Sequence, residues 1–278
     1  MTQPLPDSET QLHLDIKALL DKPWNAYVQT EADGKFSTAT LCQLTRHHSG
    51  YVREKAVAAL AVKHDISALG ELIISVNDWV RPIHLAATDA VAELLTAENV
   101  PHFIAHLPGI RLLTTCQRYD HRAFVDVIGR FIVAKNLPAL YQALYSPERD
   151  IRDAALYTLI EQDQFWEETA LLSILDNQDS HLRAIAVEHW LQRNRPLSAS
   201  LILQLLQAPW ARIRRSVLFY LDEHRQLPPE MLYRRLLLDK NALIQQRTRR
   251  MLEGKTDATA LWLEVLHDDN ASLTQRRA

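Results

Sequence analysis

Two acid–imidazole neighbours, Glu188-His189 and Glu223-His224, are the residues of this chain that invite chemistry first. A carboxylate beside an imidazole can relay a proton or share a metal ion. On a helix, however, adjacent side chains diverge by about 100°, and the same divergence parts His47 from His48. Among twelve histidines there is no His-Glu-x-x-His pair, and the chain carries no glycine-rich phosphate loop and no Gly-x-Ser-x-Gly elbow. Cys42 and Cys116 stand 74 residues apart without metal-ligand spacing and read as reduced core thiols. The expectation is a protein without catalytic residues, bound metal or cofactor.

Aromatic and charged residues are the next candidates. Of six tryptophans, Trp190 falls on a buried helical stripe, Trp79 and Trp210 stand at helix starts, and Trp166 and Trp262 belong to leucine-rich segments. Packing accounts for this set better than ligand stacking does. The net charge of −3 argues against a dedicated nucleic-acid binder, yet the distribution is uneven. From Arg195 to Lys255 there are 12 Lys/Arg against 5 Asp/Glu, a surplus of 7, while the remainder holds 19 against 29, a deficit of 10.

What must position these side chains is helical. At 47% hydrophobic and with only six glycines, the chain can bury an extensive core and favours helices over strands and turns. An apolar residue followed by Arg recurs at Val52-Arg53, Val80-Arg81, Ile151-Arg152, Leu182-Arg183 and Ile213-Arg214. The last three arginines are 31 residues apart, a further step of 31 reaches Ile244-Gln245, and His121-Arg122 reads as a diverged copy. Offsets of −1, +3 and +7 from this ladder hold apolar residues on one helical face: Val52, Ala56 and Leu60, or Ile213, Val217 and Leu221. Four residues before the ladder stand Ser49, Asn77, Asp179 and Asn241, good helix N-caps. Each ladder helix is preceded by a first helix, expected over Leu137–Tyr145, Trp166–Leu175, Ser198–Gln207, Pro229–Leu238 and Thr259–Leu266. Pro82, directly after Arg81, requires its helix to start late or kink.

The stretches Tyr51-Val-Arg-Glu-Lys-Ala-Val-Ala-Ala-Leu and Asp150-Ile-Arg-Asp-Ala-Ala-Leu-Tyr-Thr-Leu resemble the second helix of bacterial HEAT repeats, of the kind found in phycobilin lyases. The resemblance covers roughly residues 38–266. It implies an all-α fold, a right-handed α-α superhelix of about seven helical hairpins, with each ladder arginine in a polar ladder between repeats. Residues 1–37 read as an irregular N-terminal cap, and 38–278 as the solenoid, with an irregular insertion near 108–120. The resemblance does not fix function, because HEAT arrays host scaffolds, chaperones, lyases and DNA glycosylases. HEAT-repeat deoxyhypusine hydroxylases hold two irons with His-Glu pairs at matching positions; here the order is reversed, and the pairs sit at offsets of +5/+6 and +9/+10.

Offsets +1 and +5 point away from the buried stripe, toward the concave side of such a stack. They bring forward Glu54, Asp153, Tyr157, Glu188, Arg215, Phe219 and Arg250 as a protein-binding face. Tyr157 and Phe219 are either interface anchors or packing against neighbouring repeats. The expected function is a protein-interaction module, adaptor, chaperone-like or inhibitor-type. The alternative is nucleic-acid binding by Arg212, Arg215, Arg234, Arg235, Arg247, Arg249 and Arg250, resembling the HEAT-repeat glycosylases in architecture. The acidic, proline-containing start and the lack of a long apolar run point to a cytoplasmic protein with no membrane partner.

Overall fold

The structure, a computed structural model, describes residues 36–164, 168–193, 197–254 and 260. The cap expected over 1–37 lies outside the described residues except for Phe36 and Ser37. Trp166, Trp262 and nearly all of the first helix expected at Thr259–Leu266 lie outside them too.

The described chain is all-α. Its helices are α1 (Thr38–Leu44), α2 (Gly50–Lys63), α3 (Leu69–Ser75), α4 (Arg81–Leu94), α5 (Val100–Ala105), α6 (Leu107–Leu112), α7 (Arg122–Ala143) and α8 (Arg149–Glu161). There follow α9 (Glu168–Leu175), α10 (Ser180–Gln192), α11 (Ala199–Gln207), α12 (Ala211–Glu223), α13 (Tyr233–Leu237) and α14 (Ala242–Leu252). They form two compact units, Met1–Gln162 and Asp163–Ala278. In the first, α2 packs on α1 and α4, α3 on α4, and α8 on α6 and α7. In the second, α12 packs on α10, α11 and α14, with α9 on α10 and α13 on α14. Each helix thus packs on its sequence neighbours, as in a helical repeat array. Among the described residues no helix is long and apolar enough to cross a membrane.

The ladder helices start on a strict spacing. The N-caps of α2 and α4, Ser49 and Val80, are 31 residues apart, and those of α8, α10, α12 and α14, namely Glu148, Asp179, Trp210 and Asn241, repeat at the same interval. Asp179 and Asn241 cap through their side chains, accepting from two backbone N–H groups each. The stripe is buried on α2 (Val52, Ala56, Leu60), α10 (Leu182, Ala186, Trp190) and α12 (Ile213, Val217, Leu221), while on α8 Ala155 and Leu159 are buried and Ile151 is half-buried. Burying each Leu or Val side chain contributes about 1.5–3 kcal/mol.

Two assignments are corrected by these starts. Asn77 is not a cap: Pro82, lacking an N–H, fits only in the first turn, so α4 begins at Arg81 with Val80 as N-cap. The ladder position of this helix, four residues past its cap, is therefore His84, which is 31 residues after Arg53. Arg81 is exposed one turn too early, and buried Ile83, Ala87 and Val91 carry the stripe. Arg122 is displaced likewise, since α7 has His121 as N-cap, and the exposed Arg122 pairs with Asp120 at 2.7 Å. Within α7, Asn136 leaves helical geometry (φ −155°, ψ 62°), and its Oδ1 accepts from Ala139 N–H at 3.1 Å. A second helix and the next first helix are thereby joined without a loop, with Pro138 in the opening turn of the latter. Across 108–120 the chain forms all but the first residue of α6, a 3-10 turn at Leu113–Thr115 and a non-helical run that reaches α7.

Candidate functional site

The ladder side chains are structural tethers. Each sends a nitrogen back to a carbonyl at the end of the preceding first helix, six residues earlier: Arg53 to His47 O (3.0 Å), Arg152 to Ser146 O (2.9 Å) and Arg214 to Ala208 O (2.7 Å). Gln245 does the same to Asp239 O at 2.6 Å, and Arg183 to Asn177 O. His84, with its shorter reach, donates to Val76 O at 2.6 Å and stacks on Tyr119 at 3.9 Å. Arg53 and Arg214 use their other edge to grip a carboxylate. Asp78 takes Nε and Nη2 of Arg53 at 2.7 and 3.0 Å, and Asp239 takes those of Arg214 at 2.7 and 2.8 Å. Burial pushes the Asp78 carboxyl up, but bonds from Arg53 and from Val80 N–H, with the Arg53 charge, hold it below its ordinary value.

A candidate binding surface lies between α10 and α12. It is a groove of about 540 Å³ lined by Glu188, Leu191 and Gln192 of α10 and by Arg215, Ser216, Phe219, Tyr220 and Glu223 of α12. Glu188 is engaged bidentately by Arg212, at 2.8 and 2.7 Å, and accepts from Ser216 Oγ at 3.3 Å. The Arg212 bond is the main reason its carboxyl lies below its ordinary value, against the opposing effect of burial. One face of Phe219 is covered by the Arg247 guanidinium, 3.4 Å from the ring centre, and Arg247 is held by Asp222 at 3.0 Å. Arg215 and Glu223 form no ion pair or hydrogen bond among the described residues. They are eight steps apart along the helix, a rise of about 12 Å. The groove therefore offers a cation at one end, an anion at the other and two rings between.

The expected protein-binding residues fall into both units. Glu188, Arg215 and Phe219 meet in the groove, and Arg250 lies beside it on α14, bonded to Asp222. In the first unit Glu54 is half-buried on α2. Asp153 of α8 pairs with Arg149 at 3.5 Å, while its Oδ1 is buried without a donor. Tyr157 is 39% exposed and lies under the Arg111 guanidinium at 5.1 Å, itself tied to Glu161. Tyr157 thus packs against a neighbouring helix, while Phe219 both packs on Arg247 and lines a groove.

The candidate nucleic-acid arginines are spread over first and second helices. Arg212, Arg215, Arg247, Arg249 and Arg250 belong to second helices, whereas Arg234 and Arg235 belong to α13, a first helix, with Arg235 donating to Gln207 O at 2.9 Å. Arg212 is held by Glu188, and Arg247 and Arg250 by Asp222. Leu191, Gln192, Ser216, Tyr220 and Glu223 were not foreseen as lining residues, because they depend on how α10 approaches α12. The Glu-His neighbours do not converge: Glu188 is engaged by Arg212, and His224 bonds Tyr220 O at 2.8 Å. Among the described residues no three His, Cys, Asp or Glu side chains are placed to hold a metal ion.

Neither a family model nor a curated protein matches the chain. Among solved structures, a crystal structure of an engineered protein is similar at 15% identity and a TM-score of 0.32, over 98% of this chain and 84% of that one. A likeness of that size carries no argument about function.

Proposed function

We propose that this is a HEAT-type repeat protein, with hairpins stacked in the right-handed sense, whose α10–α12 groove holds a segment of another protein. The 31-residue spacing of the N-caps supports the repeat reading. The observation that carries the binding reading is Phe219, braced by Arg247 and set in a groove between unpaired Arg215 and Glu223. A braced aromatic is the kind of residue that anchors an interface, since little entropy is lost when a partner covers it. The complementary segment presents an acidic residue to Arg215, an apolar one to Phe219 and a basic one to Glu223.

The test is quantitative copurification from native lysate with wild type, Phe219→Ala and Arg215→Glu. Phe219 and Arg215 are only partly buried, so both variants are expected to fold. One protein recovered in stoichiometric amount by wild type should fall at least about 30-fold with each variant, the size of a 2 kcal/mol anchor. Equal recovery by all three, or no stoichiometric partner, refutes the groove as the binding face. Nucleic-acid binding is the less favoured reading, because Arg212 is paired with Glu188, and Arg247 and Arg250 are both held by the Asp222 carboxylate. Retardation of DNA or RNA at low salt that is lost in Arg215→Glu would replace the protein-binding reading with it.

A further inference from the structure

Four ladder arginines are held alike by Nη1, on His47 O for Arg53, Ser146 O for Arg152, Asn177 O for Arg183 and Ala208 O for Arg214. In Arg53 and Arg214 the free Nε/Nη2 edge grips a carboxylate 25 residues further on, Asp78 or Asp239. Each of those carboxylates also accepts the N–H two residues beyond itself, Val80 at 2.8 Å and Asn241 at 2.9 Å. Twenty-five residues after Arg183 the chain has Ala208. The donors remain but the acceptor does not. Arg183 is 6% exposed, its Nε is buried with no hydrogen-bond partner, and Trp210 N–H, the counterpart of Val80 and Asn241 N–H, has no acceptor among the described residues.

A buried guanidinium edge left without an acceptor is costly, and the surroundings offset this only on one side. Trp210 covers the flat face of Arg183 at 3.4 Å, against 5.7 Å for Trp79 on Arg53. A π face solvates the plane of a guanidinium and leaves its N–H edge open to an oxygen ligand. Ala208 and Trp210 also border a hollow of about 390 Å³, with Gln204, Gln207 and Asp176 on its rim. Asp176 and the nearby Asp179 limit the charge such a site accepts, favouring a single carboxylate over a phosphate.

We infer that the Nε/Nη2 edge of Arg183 and Trp210 N–H form a receptor for one carboxylate from outside the chain, in the position that Asp78 and Asp239 fill from within it. The ligand is a small monocarboxylate or the carboxylate of an Asp or Glu in a bound peptide. This site is separate from the α10–α12 groove and does not rest on the protein-binding reading.

Formate is the fragment that distinguishes Asp from Ala at this position, so thermal unfolding of the full chain in sodium formate against sodium chloride at equal ionic strength is the direct test. At a formate concentration a few times the dissociation constant, the wild-type midpoint should rise by about 2–3 °C. Ala208→Asp should raise the midpoint in chloride and abolish the formate increment, and Arg183→Met should abolish the increment as well. Asp239→Ala, which strips the acceptor from Arg214, should acquire a larger increment than wild type. A second arm compares acetyl-Gly-Asp-Gly-amide with its Asn counterpart. Stabilisation by the Asp peptide at concentrations well below those of formate identifies a peptide-borne ligand, and a response to formate alone identifies a free one. An unchanged wild-type midpoint in formate, or an increment that persists in Ala208→Asp, overturns the inference. Should Ala208→Asp not fold, persistence of the increment in Arg183→Met overturns it equally.

Discussion

Replacing Asp239 by Ala isolates what a carboxylate contributes to this stack. Its two oxygens accept from Arg214 Nε and Nη2 and from Asn241 N–H, and the paired side chains are 10% and 5% exposed. Removing one member of a buried pair leaves the other charge desolvated, at a cost of about 3–5 kcal/mol. An exposed pair such as Arg46–Glu71, where the arginine is 65% exposed, is worth about 0–1 kcal/mol. The two cases are separable by thermal unfolding, and Glu71→Ala is the control for generic loss of an acid. At about 2–4 °C per kcal/mol for a chain of this size, Asp239→Ala should lower the midpoint by about 6–20 °C and Glu71→Ala by at most about 4 °C. A double-mutant cycle with Arg214→Met should return most of the loss, since the remaining charge is then removed. Equal effects of Asp239→Ala and Glu71→Ala would refute the claim that the ladder carboxylates act as buried ion-pair partners.

The pH dependence of the first unit carries two signatures. Asp78 has its folded carboxyl below the unfolded value of about 3.9, so its contribution is complete above that pH and is lost as pH falls through the folded value. Asp78→Asn should therefore be less stable than wild type near neutrality and show a shallower decline below about pH 4, read by thermal melts across the acid range. His121 is held below its ordinary value first by burial and then by the His84 charge, with Asp120 opposing. Its folded form stays neutral while the unfolded chain takes up a proton below about pH 6.5, so stability falls from there through the folded pKa. His121→Gln should flatten that limb; an unchanged slope between pH 7 and 5 would show that the imidazole does not titrate on unfolding.

Much of the repeat was legible because it rests on local rules. Three arginines at equal spacing and apolar residues at −1, +3 and +7 suffice to mark α8, α10 and α12, where all of those residues except the half-buried Ile151 are buried; α14 follows from the next step of 31, with Thr248 at +3. Arg81 misled because a sequence search favours the residue type, whereas the fold counts from the helix start, and Pro82 moves that start to Arg81. His84 takes the position with a ring that reaches the same kind of carbonyl. The carboxylate partners were visible as a constant step of 25 from Arg53 to Asp78 and Arg214 to Asp239, but the step has meaning only once the two ends are known to meet. Phe219 could be placed from its offset alone. Tyr220, Leu191 and Gln192 could not, because their exposure is decided by how far α10 stands from α12.

The loopless junction inside α7 bears on how the first unit breathes. Hairpins linked by turns can open one at a time, each at its own local free energy. At Asn136 no slack exists between the helix ending one hairpin and the helix starting the next, and Ala139 N–H is capped by the very residue that makes the bend. Unravelling either side withdraws that cap from the other, so residues 122–161 are expected to exchange their amide protons as a single cooperative block rather than as two independent ones.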